Sequence, residues 1–329
     1  MSSAPALQNV ADPNQLRTTA ILGLGHFLPE TVVSNLPIAE RLGIESEWIV
    51  KRTGIRSRRH ATPDQSLSDL AIEAGRNAVA DAGIDPTEID VVLVGTTAAD
   101  DITPNAAPYV ATALGATRAA AMDIGVACTS WISALSIGAS FIESGRAQSV
   151  LVIGADVLSR YSDYDDKRTA SLFGDGAGAV VLGAGGEGSV GPFVFGNDAT
   201  LADAIVCSRE DPVMRMDGHT TFNAAVTALT DSTRGACELA GVAFEDVDLF
   251  VFHQANSRIT RSVSERLELP TERVADYIAE TGNTSAASIP LTLALAREDD
   301  RLHDGDTVLV AAVGAGFAWG ATVLRWGGA

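Results

Sequence analysis

Short apolar runs alternate with longer stretches of helical spacing along most of the chain. Val91–Val94, Val150–Ile153, Ala179–Leu182, Leu249–Phe252 and Val308–Ala312 are unbroken apolar runs of strand length. Runs without polar alternation belong to strands covered on both faces. Residues 67–82, 131–142 and 222–240 instead carry apolar residues at helical spacing, which predicts helices packed over those sheets. The pattern therefore predicts two sheets interleaved with helices in a layered α/β architecture.

The pattern also repeats. VADAGIDPTEIDVVLVG (79–95) resembles CELAGVAFEDVDLFVFH (237–253), each with a helical stretch ending at a glycine, Gly83 or Gly241, before a turn and an apolar strand. That offset is 158 residues, and it recurs between Ser149-Val-Leu-Val and Thr307-Val-Leu-Val. Similarity at one fixed offset is an architectural signal, and this one predicts two copies of one α/β unit. The glycine-rich stretch GAGGEGS marks the loop between them. The expected division is a loose tail over 1–17, one half over 18–187 and a second half over 188–329. The repeat also points to function. MDIGVACTSWISAL and ETGNTSAASIPLTLAL are equivalent strand-to-helix junctions, with Gly125 opposite Asn283 and Cys128 opposite Ala286. A pseudo-twofold arrangement brings both helix starts to one central cleft.

Composition narrows the function classes. The 329 residues include 23 Lys and Arg against 42 Asp and Glu, a net charge of −19, so the basic footprint of a nucleic-acid binder is missing. Residues 51–60, KRTGIRSRRH, concentrate Lys51, Arg52, Arg56, Arg58 and Arg59, and against so acidic a background they suggest docking of an anionic ligand. Three cysteines show no disulfide or zinc spacing, which fits a reducing, cytoplasmic setting. The first 17 residues lack the apolar core of a signal peptide, and no apolar run reaches 18 residues, so no membrane span is expected.

Cys128 follows an apolar strand pattern and precedes the helical run from Trp131. A helix start offers free N–H groups and partial positive charge, which favour a thiolate nucleophile. Cys207 and Cys237 lack that context and read as inert structural cysteines. His253 opens a polar HQAN stretch directly after a strand, the usual place for a site at the carboxyl edge of a sheet. Asn283 stands just before a helix, as a site residue or an ordinary cap. VGAGFAWG (313–320) follows a strand and reads as a hairpin turn or as a loop whose N–H groups face a ligand. Gly23-Leu-Gly25 lacks the remaining glycine of a dinucleotide fingerprint, and no phosphate loop or metal-ligand cluster is present.

Taken together, SEWIVKRTGIRSR (46–58), the Cys128 junction, GADVLSR (154–160), FGDGAGAVVL (173–182), FHQANSRI (252–259), GNTSAASIP (282–290) and GAGFAWGA (314–321) resemble the β-ketoacyl-acyl carrier protein synthase III family of the thiolase superfamily. The resemblance implies a thiolase-like layered α-β-α-β-α fold built from two duplicated halves. It implies a Cys-His-Asn triad of Cys128, His253 and Asn283, and an oxyanion hole formed by the backbone N–H groups of Cys128 and Ala315. Acyl-CoA would load Cys128, and a malonyl-acyl carrier protein would then be decarboxylated and condensed. Coenzyme A enters as a thioester substrate, with no cofactor and no metal required. Trp48, Arg52, Lys167, His219, Asn256 and Arg258 would line the coenzyme A path, and the enzyme would be a homodimer. Lys167 replaces an arginine common in bacterial members and lacks its planar fork. Thr103 stands where some members carry a phenylalanine that closes the acyl pocket across the dimer, which suggests room for a larger acyl group. Two alternatives share the fold: an acyltransferase moving the acyl group from Cys128 to a hydroxyl or amine, and a non-catalytic partner subunit.

Overall fold

A computed structural model describes residues 17–327; nearly all of the expected N-terminal tail lies outside the described residues. Two sheets form the frame. The first runs in the order Thr19–Phe27, Asp175–Ala184, Ser149–Val157, Val91–Gly95, Ala120–Ile124. The second runs Ser189–Asn197, Ala318–Arg325, Thr307–Gly314, Leu249–Phe252. The chain passes from the first sheet to the second between Ala184 and Ser189, within the glycine-rich stretch.

The two sheets share a register. Val91 pairs in parallel with Val150, and Leu249 pairs in parallel with Val308. Both pairs are related by the 158-residue offset. In each sheet this parallel pair continues into two antiparallel strands on one side. The second sheet lacks a full counterpart of Ala120–Ile124; only an isolated parallel bridge, Phe250 to Val274, occupies that side.

The predicted helices are present, and their ends have local causes. Leu67–Ala82 begins with a capping box, in which Ser66 Oγ accepts from Asp69 N–H (3.0 Å) and Asp69 Oδ2 accepts from Ser66 N–H (2.7 Å). Gly218–Ala240 starts four residues before the apolar pattern does, because Asp217 caps His219 and Thr220 N–H. These helices cover the outer faces of the two sheets, joined by Ala106–Leu114 on the first and by Ser257–Leu267 against Gly218–Ala240. Among the described residues no helix is long and apolar enough to cross a membrane.

Two further helices, Ser130–Glu143 and Ser288–Glu298, lie between the sheets and touch strands of both. They are apolar on most sides, as a central layer requires. Trp131, Ile132 and Leu135 share one core with Ile289, Leu293, Val308, Val310 and Leu324. The result is the five-layered α-β-α-β-α thiolase-like fold. The central helices begin at residues 130 and 288, again 158 apart, and each begins close to the strands of both sheets. Gly154 makes this possible on one side, since a Cβ there would stand 2.2 Å from the Ala286 carbonyl oxygen.

Candidate active site

The two central helix starts meet at the floor of one cavity of about 1010 Å³. Cys128 precedes the helix Ser130–Glu143 by two residues and follows Ala127, whose backbone is left-handed with φ 48°. The equivalent turn in the second half places Ser285, φ 53°, directly before Ala286. A non-glycine residue at positive φ is uncommon; here it turns both junctions sharply enough to bring the two helix starts together. Ser285 Oγ lies 3.4 Å from Cys128 Sγ.

His253 extends the strand Leu249–Phe252 by one residue, with its N–H donating to Ala311 carbonyl at 2.8 Å. It is buried, and its Nδ1 has no hydrogen-bond partner in the protein. Burial pushes its pKa down to about 4, so the imidazole is neutral near pH 7. Asn283 is also buried. Its N–H donates to Leu172 carbonyl (2.9 Å) and its Oδ1 accepts from Ser285 N–H (2.9 Å). That second bond leaves the amide nitrogen as the free end of the side chain. Cys128, His253 and Asn283 all line the same cavity.

Cys128 and Ala315, the expected sources of the oxyanion-hole N–H groups, line the same cavity. Thr307–Gly314 and Ala318–Arg325 form a hairpin whose turn, Ala315–Phe317, opens onto the cavity, so the glycine-rich segment is both hairpin turn and lining. A Cβ on Gly314 would stand 2.7 Å from Cys128 N. Only glycine lets the hairpin approach the Cys128 amide this closely.

At the thiol itself burial opposes the expected effect of the helix start. The helix start was expected to favour a thiolate, yet burial pushes the Cys128 thiol up to about 11. The Ser285 hydrogen bond opposes this shift and nearby Asp156 adds to it. Desolvation penalises the buried anion, while the helix start acts in the opposite sense.

Trp48, Arg52, Lys167, His219, Asn256 and Arg258 line the same cavity. The Arg52 guanidinium lies 5.6 Å and the Lys167 ammonium 5.9 Å from the Trp48 ring centroid, within cation–π range. Arg258 lies 5.2 Å from the Phe222 ring. Asn256 caps the helix Ser257–Leu267 and donates to the Arg52 carbonyl at 3.2 Å, tying the two halves together at the mouth.

The basic run does not act as one patch. Arg52 lines the cavity, but Arg58 is fully buried and donates to Val33 carbonyl, Asn35 Oδ1 and Ser171 carbonyl. Arg59 donates to the carbonyls of Pro29 and Glu30. These two arginines organise loops. Thr103 is exposed and is not among the residues lining the cavity of its own chain. Cys237 is buried within its helix as expected, but Cys207 is exposed and borders the cavity, so it is no core cysteine. Among the described residues no cluster of His, Cys, Asp or Glu is placed to hold a metal ion.

Sequence reasoning missed Ser285 and Asp156. Asp156 is fully buried beneath the two helix starts. It accepts from Thr96 Oγ1 (2.8 Å), Thr97 N–H (2.9 Å) and Thr97 Oγ1 (3.2 Å) on one side, and from Ala286 N–H (3.0 Å) on the other. A charged residue inside an otherwise apolar strand was the available signal.

Comparison with known proteins identifies the family. Residues 122–199 match the family model for 3-oxoacyl-[acyl-carrier-protein] synthase III, and residues 237–326 match the model for its C-terminal part. The chain is 42% identical to β-ketoacyl-[acyl-carrier-protein] synthase III of Bacillus pumilus, over 93% of this chain and 98% of that one. The crystal structure of 3-oxoacyl-(acyl carrier protein) synthase III from Pseudomonas aeruginosa superposes with a TM-score of 0.90 at 40% identity, covering 94% of this chain and 99% of that one. The priming β-ketosynthase of a polyketide biosynthetic pathway superposes with a TM-score of 0.92 at 35% identity, covering 97% and 99%. With its central cysteine, histidine and asparagine gathered at one cavity, the chain belongs to the β-ketoacyl-acyl carrier protein synthase III family of carbon–carbon bond-forming acyltransferases.

Proposed function

We propose that acyl-CoA loads Cys128 and that the enzyme then condenses this acyl group with a malonyl-acyl carrier protein, to start a fatty acid or prime a polyketide. The carrying observation is the opening of Cys128, His253 and Asn283 onto one cavity, whose mouth bears Arg52, Lys167 and Arg258 for an anionic substrate. The Cys128 sulfur attacks the thioester carbonyl. The N–H groups of Cys128 and Ala315 hold the oxyanion, donors worth roughly 3–4 kcal/mol each. Coenzyme A then leaves as its thiol.

The second substrate places its thioester carbonyl against His253 and Asn283. A neutral imidazole and an amide NH2 donate hydrogen bonds without presenting a charge. Loss of CO2 leaves an enolate, and these donors stabilise it as its charge develops. Its carbon attacks the acyl-Cys128 carbonyl and releases the β-ketoacyl product with the thiol restored. No step needs a cofactor or metal. We assign the enzyme to the cytoplasm, a reading supported by its free thiols, and read it as a homodimer.

Intact-mass measurement after incubation with a panel of acyl-CoAs tests the loading step. The expected result is one acyl adduct on the native chain and none on C128A. Release of CO2 from malonyl-acyl carrier protein by the loaded enzyme, lost in H253A and N283A, tests the condensation. Loading without CO2 release would instead indicate simple acyl transfer.

A further inference from the structure

The reach of the Asn283 amide nitrogen into the cavity depends on where its backbone is held. A short helix, Ile278–Thr281, ends just before it, and Gly282 then turns the chain with φ 66°. From there the backbone of Asn283 is clamped by a distant segment. Its N–H donates to Leu172 carbonyl (2.9 Å), and its own carbonyl accepts from Gly174 N–H (3.0 Å). The two bonds make an isolated parallel bridge between Phe173 and Asn283. Asn283 therefore stands where residues 172–174 place it.

That segment is fastened by a charge with no part in the reaction. Arg58 is fully buried in the strand Ser57–His60. Its Nη2 donates to Ser171 carbonyl (2.8 Å) and to Asn35 Oδ1 (2.7 Å), and its Nη1 to Val33 carbonyl (3.2 Å). All three acceptors are neutral, and Nε has no partner. Burial pushes the Arg58 pKa down only to about 10, so the guanidinium stays charged near neutrality. A buried charge among neutral oxygens is a costly fastening, and an apolar side chain would pack there at less cost. What a guanidinium alone offers is a rigid fork that fixes several acceptors at once.

The stem of Arg58 is placed as closely as the fork. A Cβ on Gly174 would stand 3.1 Å from Arg58 Cβ, and a Cβ on Gly282 would stand 3.0 Å from it. These two glycines flank the bridge, one on each strand, so Arg58 lies against both sides of the clamp. None of its three acceptors belongs to the Cys128 junction or to the turn Ala315–Phe317.

We propose that Arg58 is a positioning residue for Asn283, anchoring Ser171 with its guanidinium and packing its stem against Gly174 and Gly282. The proposal rests on the reading of Asn283 as a donor to the malonyl thioester. Arg58 touches no substrate; it sets the distance at which the Asn283 amide meets the developing enolate. Displacing such a donor by about 1 Å costs up to about a hundredfold in rate. Acyl loading onto Cys128 does not use Asn283, so the two half-reactions should respond differently to the loss of Arg58.

The test uses the full chain with R58M, which keeps an unbranched stem and removes every donor. Thermal melting reports whether it is folded. R58K keeps the charge and the stem without the fork, and it carries the same expectations should R58M not fold. Acetyl loading is followed by intact mass at saturating acetyl-CoA, and CO2 release from malonyl-acyl carrier protein is followed on enzyme already acetylated. CO2 release should fall at least about tenfold while loading stays within about threefold of native. The double variant R58M/N283A should release CO2 no more slowly than N283A, since a residue acting through Asn283 then has nothing to act on. Equal losses in the two steps, or a further tenfold loss or so in the double variant, would overturn the assignment. If N283A releases CO2 at the native rate, the donor reading of Asn283 fails instead. Hydrogen–deuterium exchange then decides the positioning separately. Peptides spanning 172–174 and 282–285 should exchange at least about tenfold faster in R58M, with the Cys128 junction unchanged. Native exchange in those peptides, or faster exchange in all three, would refute it.

Discussion

His253 is held among neutral groups with no carboxylate beside it, so its protonation state is set by burial alone. The imidazole pKa falls from 6.5 to about 4, and the unfolded chain therefore binds the proton first as pH falls. The stability contributed by a neutral His253 is complete above pH 6.5 and is lost between pH 6.5 and 4, amounting to about 3 kcal/mol. H253N removes this titration. Its melting temperature should depend on pH less steeply than that of the native protein between pH 6.5 and 4; parallel curves would show that His253 is not held neutral. Cys128, His253 and Asn283 were legible in the sequence because each sits in a motif a few residues long. Ser285 and Asp156 were not, because Ser285 meets Cys128 and Asp156 meets Ala286 N–H only across the two halves, far apart in the chain. Cys207 was misread for a related reason: an exposed loop cysteine and a buried one look alike without the surrounding fold.

The elements were more legible than their ends. The helix Leu67–Ala82 and the strand Leu249–Phe252 match the apolar pattern residue for residue, while Ser149–Val157 continues well past its apolar run. Its extension, Gly154-Ala155-Asp156, carries the residues that face the opposing helix start, where close approach and the buried carboxylate replace bulk. The edge strand Ser189–Asn197 mixes exposed and half-buried positions, with Val190 alone buried, and offers no long apolar run to find. The 158-residue offset holds from the outer helices through the strands that flank the site. We propose on this basis that residues 18–187 and 188–329 are copies of one unit, diverged at the junctions. Gly314 shows what that divergence does. G314A would place a methyl group 2.7 Å from the Cys128 backbone nitrogen, where backbone must shift to admit it. The expected outcome is a folded protein whose acyl loading falls at least about a hundredfold, the loss of one oxyanion donor. Loading within a factor of about three of native would show that the Cys128 amide does not hold the oxyanion.

At the scale of the molecule, the open side of the first sheet bears on how the acyl pocket ends. Among the described residues Ala120–Ile124 has a strand neighbour on one side only, and its five residues are all half-buried. An exposed edge of this kind pairs readily with another strand. Beside it the segment before the helix Ala106–Leu114 exposes Ile102 at 78%, and that helix exposes Tyr109 at 47%, a costly display on a chain of net charge −19. Two such acidic chains repel at a distance, so a stable contact between them has to come from apolar surface of this kind. Thr103 stands next to Ile102, exposed and outside the lining of its own cavity, and we propose that in a homodimer paired along this edge it would border the partner's acyl pocket. A threonine there leaves space that a phenylalanine would fill. T103F should therefore remain a dimer by sedimentation velocity and load acetyl-CoA as well as native protein. It should lose loading of octanoyl-CoA by at least about tenfold, since an overfilled apolar pocket costs about 1–3 kcal/mol. A monomer in solution would remove the partner from this account, and unchanged octanoyl loading in a dimeric T103F would place the end of the acyl pocket elsewhere, among residues of a single chain.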